Sequence, residues 1–559
     1  MQTNKLKSYI NKVRNAIYQF EQENNVPIIN NPHVGILIEA FAHINAKLDI
    51  ILEDQQDRLA KQVLDLFYPH YNKPYPATII AQFASKAESV FFMPKGTLFS
   101  ALYNKHAVTF STCYDIELIP GIIKKISFNK CEETIFNQKS ESFVEITIQT
   151  KQKFEDCSIN KLQFYINNAH NSGYLVYKNI YTSCCGIAIV DPESQENICF
   201  LDKSCLKNLA FNQQASILPE YNNSFLGYQV ISEFFFLPEK YLFFALDLHD
   251  VPKAKLGNQF SIKIYFTNQS LKNNIHHDIF IINCLPAINL FFKQSDPIEI
   301  QPENVEYTVD INKQKPNQYE IYEIKEVAIE LNNKTLHANP ILQAYKEEDY
   351  DKGVFWTLKT CDSEGKHLQH HISLITKNET IIKQARCFFV TANVFEKDAP
   401  AWLFANYASE IKLELVKPTM PIEKIQCIKL PTMPLYKDVN TNYVILSHLH
   451  LNYFNIFIEN DAEKLLQGLL SAYYIQNSCE DNKLLINAIK KVSITSCIDK
   501  IQVDAYNKQF CRGFKVKILL EDNEFLPPGL IHIFSQMLKQ FFKHYAPINS
   551  FIKTEIEIN

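Results

Sequence analysis

His448 and His450 stand one residue apart beside Tyr453, and on a strand that spacing would turn both imidazoles to one face, as a metal site needs. No Asp, Glu or Cys lies close enough to complete a ligand set, so the two read as structural histidines. His276-His277 and His370-His371 are adjacent pairs, whose side chains diverge on a strand and cannot share an ion. Glu53, Asp54 and Asp57 crowd one helix end, a pattern that suits a solvated or interface face better than acid–base work. Cys184 and Cys185 lack the basic surroundings that lower a thiol pKa. No GxxxxGK[ST], GxGxxG or GxSxG run occurs, and 12 glycines in 559 residues leave little material for a phosphate-wrapping loop. The residues that could do chemistry therefore imply no catalytic set, no metal and no cofactor, and the chain is expected not to be an enzyme.

Composition supports a folded chain of several domains. The hydrophobic fraction of 46% and charged fraction of 21% lie far from the profile of disordered sequences. A balance of 56 Lys+Arg against 61 Asp+Glu sets up no overall field toward nucleic acid or anionic lipid. The 14 cysteines show no CxxC spacing and read as buried thiols in a reducing compartment. Met1 to Asn15 lacks an apolar core before a cleavage site, and the longest apolar stretch, Ile279 to Phe292, is interrupted by Asn283, Pro286 and Asn289. A cytoplasmic location is expected, with any membrane reached through partners rather than by insertion, and no small-molecule substrate.

The positioning elements follow from periodicity. Leu6, Ile10, Val13, Ile17 and Phe20 form one helical stripe, and Val34, Leu37, Ile38, Phe41, Ile44, Leu48 and Ile51 form a second. Leu59, Val63, Leu66 and Phe67 predict a third helix that stops by Pro69. Strand-like runs then take over: Thr78–Phe83, Val90–Phe92, Val108–Thr112, Phe143–Thr150, Leu162–Ile166, Gln259–Phe266, His277–Cys284, Tyr319–Leu331 and Ile411–Val416. Pro418, Pro421, Pro431 and Pro434 suggest a linker. Beyond it, Asp461 is placed to cap a helix carrying Leu465, Leu466, Leu469, Leu470 and Tyr473, Val492–Ser496 and Phe514–Leu520 read as strands, and Pro528 opens a last helix with Ile531, Phe534, Leu538, Phe541 and Phe542 on one side. The expected fold class is multidomain α+β: N-terminal helices at 1–75, β-rich domains at 76–250 and 251–417, and an α+β domain at 418–559.

The run from Ser224 to Phe244 is densely aromatic around Leu237-Pro238-Glu239-Lys240, and by residue type it reads as two apolar strands joined by a polar break. It also resembles the central signature of the TssF family, also called ImpG or VasA, of the bacterial type VI secretion system. Further similar stretches occur in family order: Asn31-Pro32-His33-Val34 through Ala42, Leu66-Phe67-Tyr68-Pro69-His70-Tyr71-Asn72-Lys73-Pro74, Thr112-Cys113-Tyr114-Asp115, Leu285-Pro286-Ala287-Ile288-Asn289-Leu290-Phe291, Leu446 to Tyr453, and Tyr545-Ala546-Pro547-Ile548-Asn549-Ser550-Phe551.

The resemblance implies a structural baseplate subunit with a fold like the wedge proteins of phage tails. Its implied partners are a TssG-like subunit, a second copy of itself, a TssK-like adaptor, a TssE-like sheath-initiating subunit and the VgrG spike, on which tube and sheath are built. Leu37, Phe41, Leu48, Tyr68, Tyr71, Phe225, Tyr228, Phe234, Phe236, Leu538, Phe541 and Phe542 are the candidate interface or structural residues. A wedge protein of another phage-tail-like contractile particle, or a β-rich carbohydrate-binding or carbohydrate-active protein, is the alternative.

Overall fold

In a computed structural model of the chain, the described residues run from 59 to 559, apart from 66, 85–88, 104–105, 158, 210, 212–215, 222–225, 302, 317, 332–333, 342–352, 364–366, 379–380, 382–383, 408–411, 416–421, 433–444, 447–460, 474–479, 503–507 and 547–549, together with scattered positions between 11 and 55. Helices α1 (Gly173–Thr182), α2 (Leu226–Phe236), α3 (Ala399–Tyr407), α4 (Ala462–Tyr473), α5 (Asp481–Asn487) and α6 (Leu530–His544) punctuate a strand-rich chain. The chain divides into two compact units, one of Met1–Asn72, Tyr221–Phe225 and Leu435–Tyr473, the other of Lys73–Glu220, Leu226–Pro434 and Tyr474–Asn559.

In the first unit, residues 59–65 are helical and bury Ala60 and Leu64. The predicted stop is present: the helical run gives way to a short 3-10 turn at Pro69–Asn72, because proline at 69 has no N–H to continue the ladder. Asp461 adopts a left-handed φ of 55°, and its carbonyl accepts the Leu465 N–H at 3.1 Å as α4 begins. Leu466, Leu469, Leu470 and Tyr473 then form the buried face, as their spacing predicts.

The second unit is organised around a closed barrel whose strands follow the order Thr78–Phe83, Cys284–Ile288, His106–Thr112, Leu98–Tyr103, Lys412–Leu415 and Ile422–Lys429. Closure leaves no open edge, since Thr78–Phe83 pairs with Cys284–Ile288 on one side and Ile422–Lys429 on the other. The proline-rich segment expected to be a linker is thus corrected: between its prolines lies a strand that shuts the barrel. Prolines flanking a strand cost no ladder bonds. Ile79, Ala81, Phe83, Phe99, Phe110, Leu285 and Ala287 fill the core, and α3 adds Leu403 and Phe404. The Phe99 and Phe110 rings stack at 5.9 Å and Phe83 meets Phe99 edge-on at 5.8 Å.

Around it lie a five-stranded sheet, a four-stranded sheet, and a larger sheet in which Ala385–Glu396 and Tyr319–Leu331 are neighbours. Gly121–Ile135 and Gln138–Thr150 form a long hairpin whose two turn residues, Phe136 and Asn137, both have positive φ, the twist a two-residue hairpin demands. Gln259–Phe266 and Tyr319–Leu331 appear with the predicted bounds. The strand expected over His277–Cys284 does not: Asn283 sits at φ 58°, so Phe280–Ile281 and Cys284–Ile288 are separate and belong to different sheets.

The C-terminal elements form a sheet of Ile489–Gln502, Lys508–Leu520 and Ile552–Ile558. The last strand runs parallel to its neighbour, a pairing that needs a crossover, and α6 supplies it. The helix opens at Leu530 rather than at Pro528, because Gly529 takes φ 89° and approaches α1 so closely that a Cβ there would stand 2.4 Å from the Tyr174 carbonyl oxygen. Its predicted apolar side is buried: Ile531, Phe534, Leu538, Phe541 and Phe542 are all fully covered. Truncation of Leu538→Ala is expected to lower the unfolding free energy by about 2–5 kcal/mol, read as a fall in urea midpoint at unchanged slope.

His532, on the same helix, is buried 6.4 Å from the Tyr177 ring, and its Nε2 has no hydrogen-bond partner among the described residues. Burial first, and then Lys178 and Lys539, push its pKa from 6.5 down to about 4. The folded state therefore keeps the ring neutral while the unfolded chain takes up a proton. Stability is full above pH 6.5 and falls as pH drops toward 4, by up to about 3 kcal/mol from this residue. His532→Gln should flatten the stability profile between pH 7 and 5; an unchanged slope would show that the ring is not held neutral.

Candidate functional site

The aromatic signature does not form two strands. Its first half is helix α2, its second a 3-10 turn at Pro238–Leu242 leading into the strand Phe243–Asp247. Phenylalanine and isoleucine favour strands only weakly, and burial on every side overrides that preference: Tyr228, Ile231, Phe234, Phe235 and Phe236 are all buried on one short helix. Pro238 ends it, and the Leu237 N–H closes the last turn on the Glu233 carbonyl at 2.8 Å.

Within that helix a carboxylate is buried. Glu233 is 2% exposed and Lys240 5% exposed, and the Lys240 ammonium is ion-paired to Glu233 Oε2. The other oxygen, Oε1, accepts from Ser216 Oγ at 2.8 Å, the Ile217 N–H at 3.1 Å, the Leu218 N–H at 3.2 Å and Gln229 Nε2 at 3.2 Å. Burial pushes the Glu233 carboxyl up, but the Lys240 charge and these donors more than offset it and hold the pKa below the usual carboxylate value. One turn of helix aligns Gln229 with Glu233, and the Pro238 turn swings Lys240 back toward them. Ser216, Ile217 and Leu218 are thereby tied to α2, and Tyr241 Oη adds a bond to the Val230 carbonyl at 3.0 Å.

The apolar shell of this knot is a junction. Ile217, Leu218, Phe236 and Leu237 pack with Cys113 and Ile288 beside the barrel and with Tyr322 and Phe395 of the large sheet. Tyr75 stacks on Phe236 at 4.8 Å. Burial pushes the Cys113 thiol up to about 12, which leaves it an inert apolar filler. A second knot joins the same two sheets: Asn289 Nδ2 and the Thr109 N–H each donate to Glu396 Oε2 at 3.1 Å, and the Glu396 N–H donates to Asn289 Oδ1 at 2.7 Å. Asn283 clamps the Ile119 backbone, accepting its N–H at 2.8 Å and donating to its carbonyl at 2.9 Å.

The candidate residues fall into separate groups. Tyr228 and Phe234 on α2 meet Phe541 and Phe534 on α6 at 6.1 Å and 5.8 Å, with Leu538 and Phe542 buried on that same helix. Phe236 faces the junction core instead. Tyr68 and Tyr71 pack with Tyr473 at 5.8 Å and 6.1 Å in the first unit. Leu48 is helical and half exposed; Leu37, Phe41 and Phe225 lie outside the described residues, as do His448, His450, Glu53, Asp54 and Asp57. Glu233, Lys240, Gln229, Ser216 and Glu396 carry the polar architecture and are missing from the candidate set. A glutamate flanked by Ile231, Phe234, Phe235 and Phe236 was the available signal, since an acid in such company must be paired.

The knot is sealed from solvent and both its charges are occupied, so its chemistry is cohesive. Cys184 and Cys185 are free and buried, with Cys184 pushed up to about 12, mainly by burial. Among the described residues, no cluster of three or more His, Cys, Asp or Glu is placed to hold a metal ion, and no helix is long and apolar enough to cross a membrane.

The family described as "Type VI secretion system, TssF" matches residues 26–559. The chain belongs to the TssF family. A relative in Pseudomonas aeruginosa, the type VI secretion system component TssF1, is 20% identical over 94% of this chain and 90% of its own length. Among solved structures, a chain of the type VI TssK-TssF-TssG baseplate subcomplex resembles this one with a TM-score of 0.74 at 18% identity, over 93% of this chain and 96% of that one. A chain of the type VI baseplate complex matches with a TM-score of 0.57 at 13% identity, covering 100% of this chain and 97% of that one. At these identities the structural likeness establishes the shared fold.

Removing either member of the buried pair, by Glu233→Leu or Lys240→Met, should cost about 3–5 kcal/mol, whereas the double change Glu233→Leu with Lys240→Met should recover most of it. The depressed Glu233 pKa makes its contribution full above the unfolded value near 4.5 and lost as pH falls through the folded one. A double-mutant cycle by urea denaturation at pH 7 checks the coupling; additive losses would mean that the pair is not buried together.

Proposed function

We propose that this chain is a non-enzymatic baseplate wedge subunit of a type VI secretion system. It joins a TssG-like subunit and a second copy of itself, is bound by a TssK-like adaptor, and contributes to the platform around a VgrG spike, beside a TssE-like subunit, on which tube and sheath assemble. The site of action is the cytoplasmic side of the inner membrane, reached through these partners. The observation that carries the reading is likeness over nearly the full chain to the TssF-family fold, at the level of whole architecture rather than one motif.

The interior supports it. The barrel lumen is packed with Phe99, Phe110 and Leu403, and the polar groups of the signature are spent on one another. Such a core fixes a shape.

Co-expression with the TssG-like and TssK-like products of neighbouring genes, followed by capture and native mass determination, tests the reading. A discrete hetero-oligomer with more than one copy of this chain is expected. A folded, monodisperse monomer indifferent to both partners would overturn it.

A further inference from the structure

The C-terminal hairpin outruns its helical cover. Its strands Ile489–Gln502 and Lys508–Leu520 hold 14 and 13 residues, about 43–48 Å each, whereas the 15 residues of α6 span about 22 Å. Alternation and register divide the hairpin into two faces. One bears ion pairs, with Lys553 on Asp499 and Glu555 on Lys515 at 2.6 Å, and it is the solvated side. The other carries Val492 opposite Ile518, together with Val516 and Leu520, all buried where α5 and α6 pack against the sheet.

That buried face does not end where the helices do. The same alternation leads from Val516 through Phe514 to Arg512 and Phe510, and from Val492 through Ile494 and Ser496 to Ile498 and Lys500. Ile498 stands opposite Arg512, and Lys500 opposite Phe510. Here the apolar side chains are open to water: Ile498 is 67% exposed and Phe510 74%. The Lys500 ammonium lies 5.1 Å from the centre of the Phe510 ring, and neither Lys500 nor Arg512 is paired with a carboxylate among the described residues. An apolar strip with two unneutralised cations on the same face is a half-built interface.

We infer that this overhang docks an amphipathic α-helix of a neighbouring subunit, with apolar residues over Ile498 and Phe510 and carboxylates against Lys500 and Arg512. A helix is the fitting element, because helices already cover the proximal part of this same face. The two cations fix the sign of the partner's flank. The inference rests on the baseplate reading and names a surface and a partner chemistry within it.

The test uses the full chain in its co-expressed complex, with a benzoylphenylalanine photo-crosslinker replacing Phe510. Crosslinks should map to an acid-flanked amphipathic segment of another subunit. Ile498→Ser with Phe510→Ser should weaken capture about tenfold or more, with the urea midpoint of the free chain unchanged because both side chains are solvent-facing. Arg512→Glu should weaken it too, and reversal of the crosslinked carboxylate to Lys should restore it. If the wild-type complex forms but position 510 crosslinks to nothing, to a basic segment, or to a second copy of this chain alone, the inference falls and the baseplate reading stands. If no complex forms, both fall.

Discussion

Much of the second unit depends on keeping one carboxylate charged where water cannot reach it. Glu233 is surrounded by phenylalanines, and an unpaired charge there would cost far more than any single packing contact returns. Satisfying it sets conditions on distant parts of the chain. The backbone around Gln229 must be helical, the chain must turn back at Pro238 to deliver Lys240, and Ser216 to Leu218 must pass close by. Each condition restricts where α2 can lie. Apolar side chains tolerate sliding; a carboxylate with an ammonium and four neutral donors does not.

The same logic recurs where the sheets meet. Asn289 and Glu396 tie the barrel strand His106–Thr112 to Ala385–Glu396, and Asn283 replaces a missing ladder bond at the point where the chain leaves one sheet for another. Burial raises the Glu396 pKa despite its bonds to Thr109 and Asn289, the reverse of Glu233, because no ammonium faces it as closely. Junctions between sheets are where backbone groups would otherwise go unpaired, so buried polar side chains collect there.

Legibility in the sequence followed the same division. Elements with one apolar face and one wet face were readable, as the α4 and α6 stripes show, and the strand-like run Tyr319–Leu331 appears with its expected bounds. Elements buried on all sides were not. Helix α2 has only a short polar stripe of Gln229, Ser232 and Glu233, itself buried, so its aromatics read as strand, and α1 and the partly exposed α3 sit inside a region read only for strands. Barrel closure was invisible because Ile422–Lys429 pairs with Thr78–Phe83, more than three hundred residues away. The polar knot was missed for a related reason: Ser216, Glu233 and Lys240 converge only once the helix and its proline turn exist.

A chain that serves as a part of something larger faces a constraint that an isolated enzyme does not. Its shape must be set before its partners arrive, or each contact would have to supply the ordering entropy as well as the binding. The interior here meets that requirement with polar bonds that admit one geometry, while apolar groups such as Ile498 and Phe510 on the C-terminal hairpin are exposed. Stability and recognition thus draw on different residues. Changes at Phe510 can alter assembly without touching the fold, and changes at Glu233 undo the fold on which every surface depends.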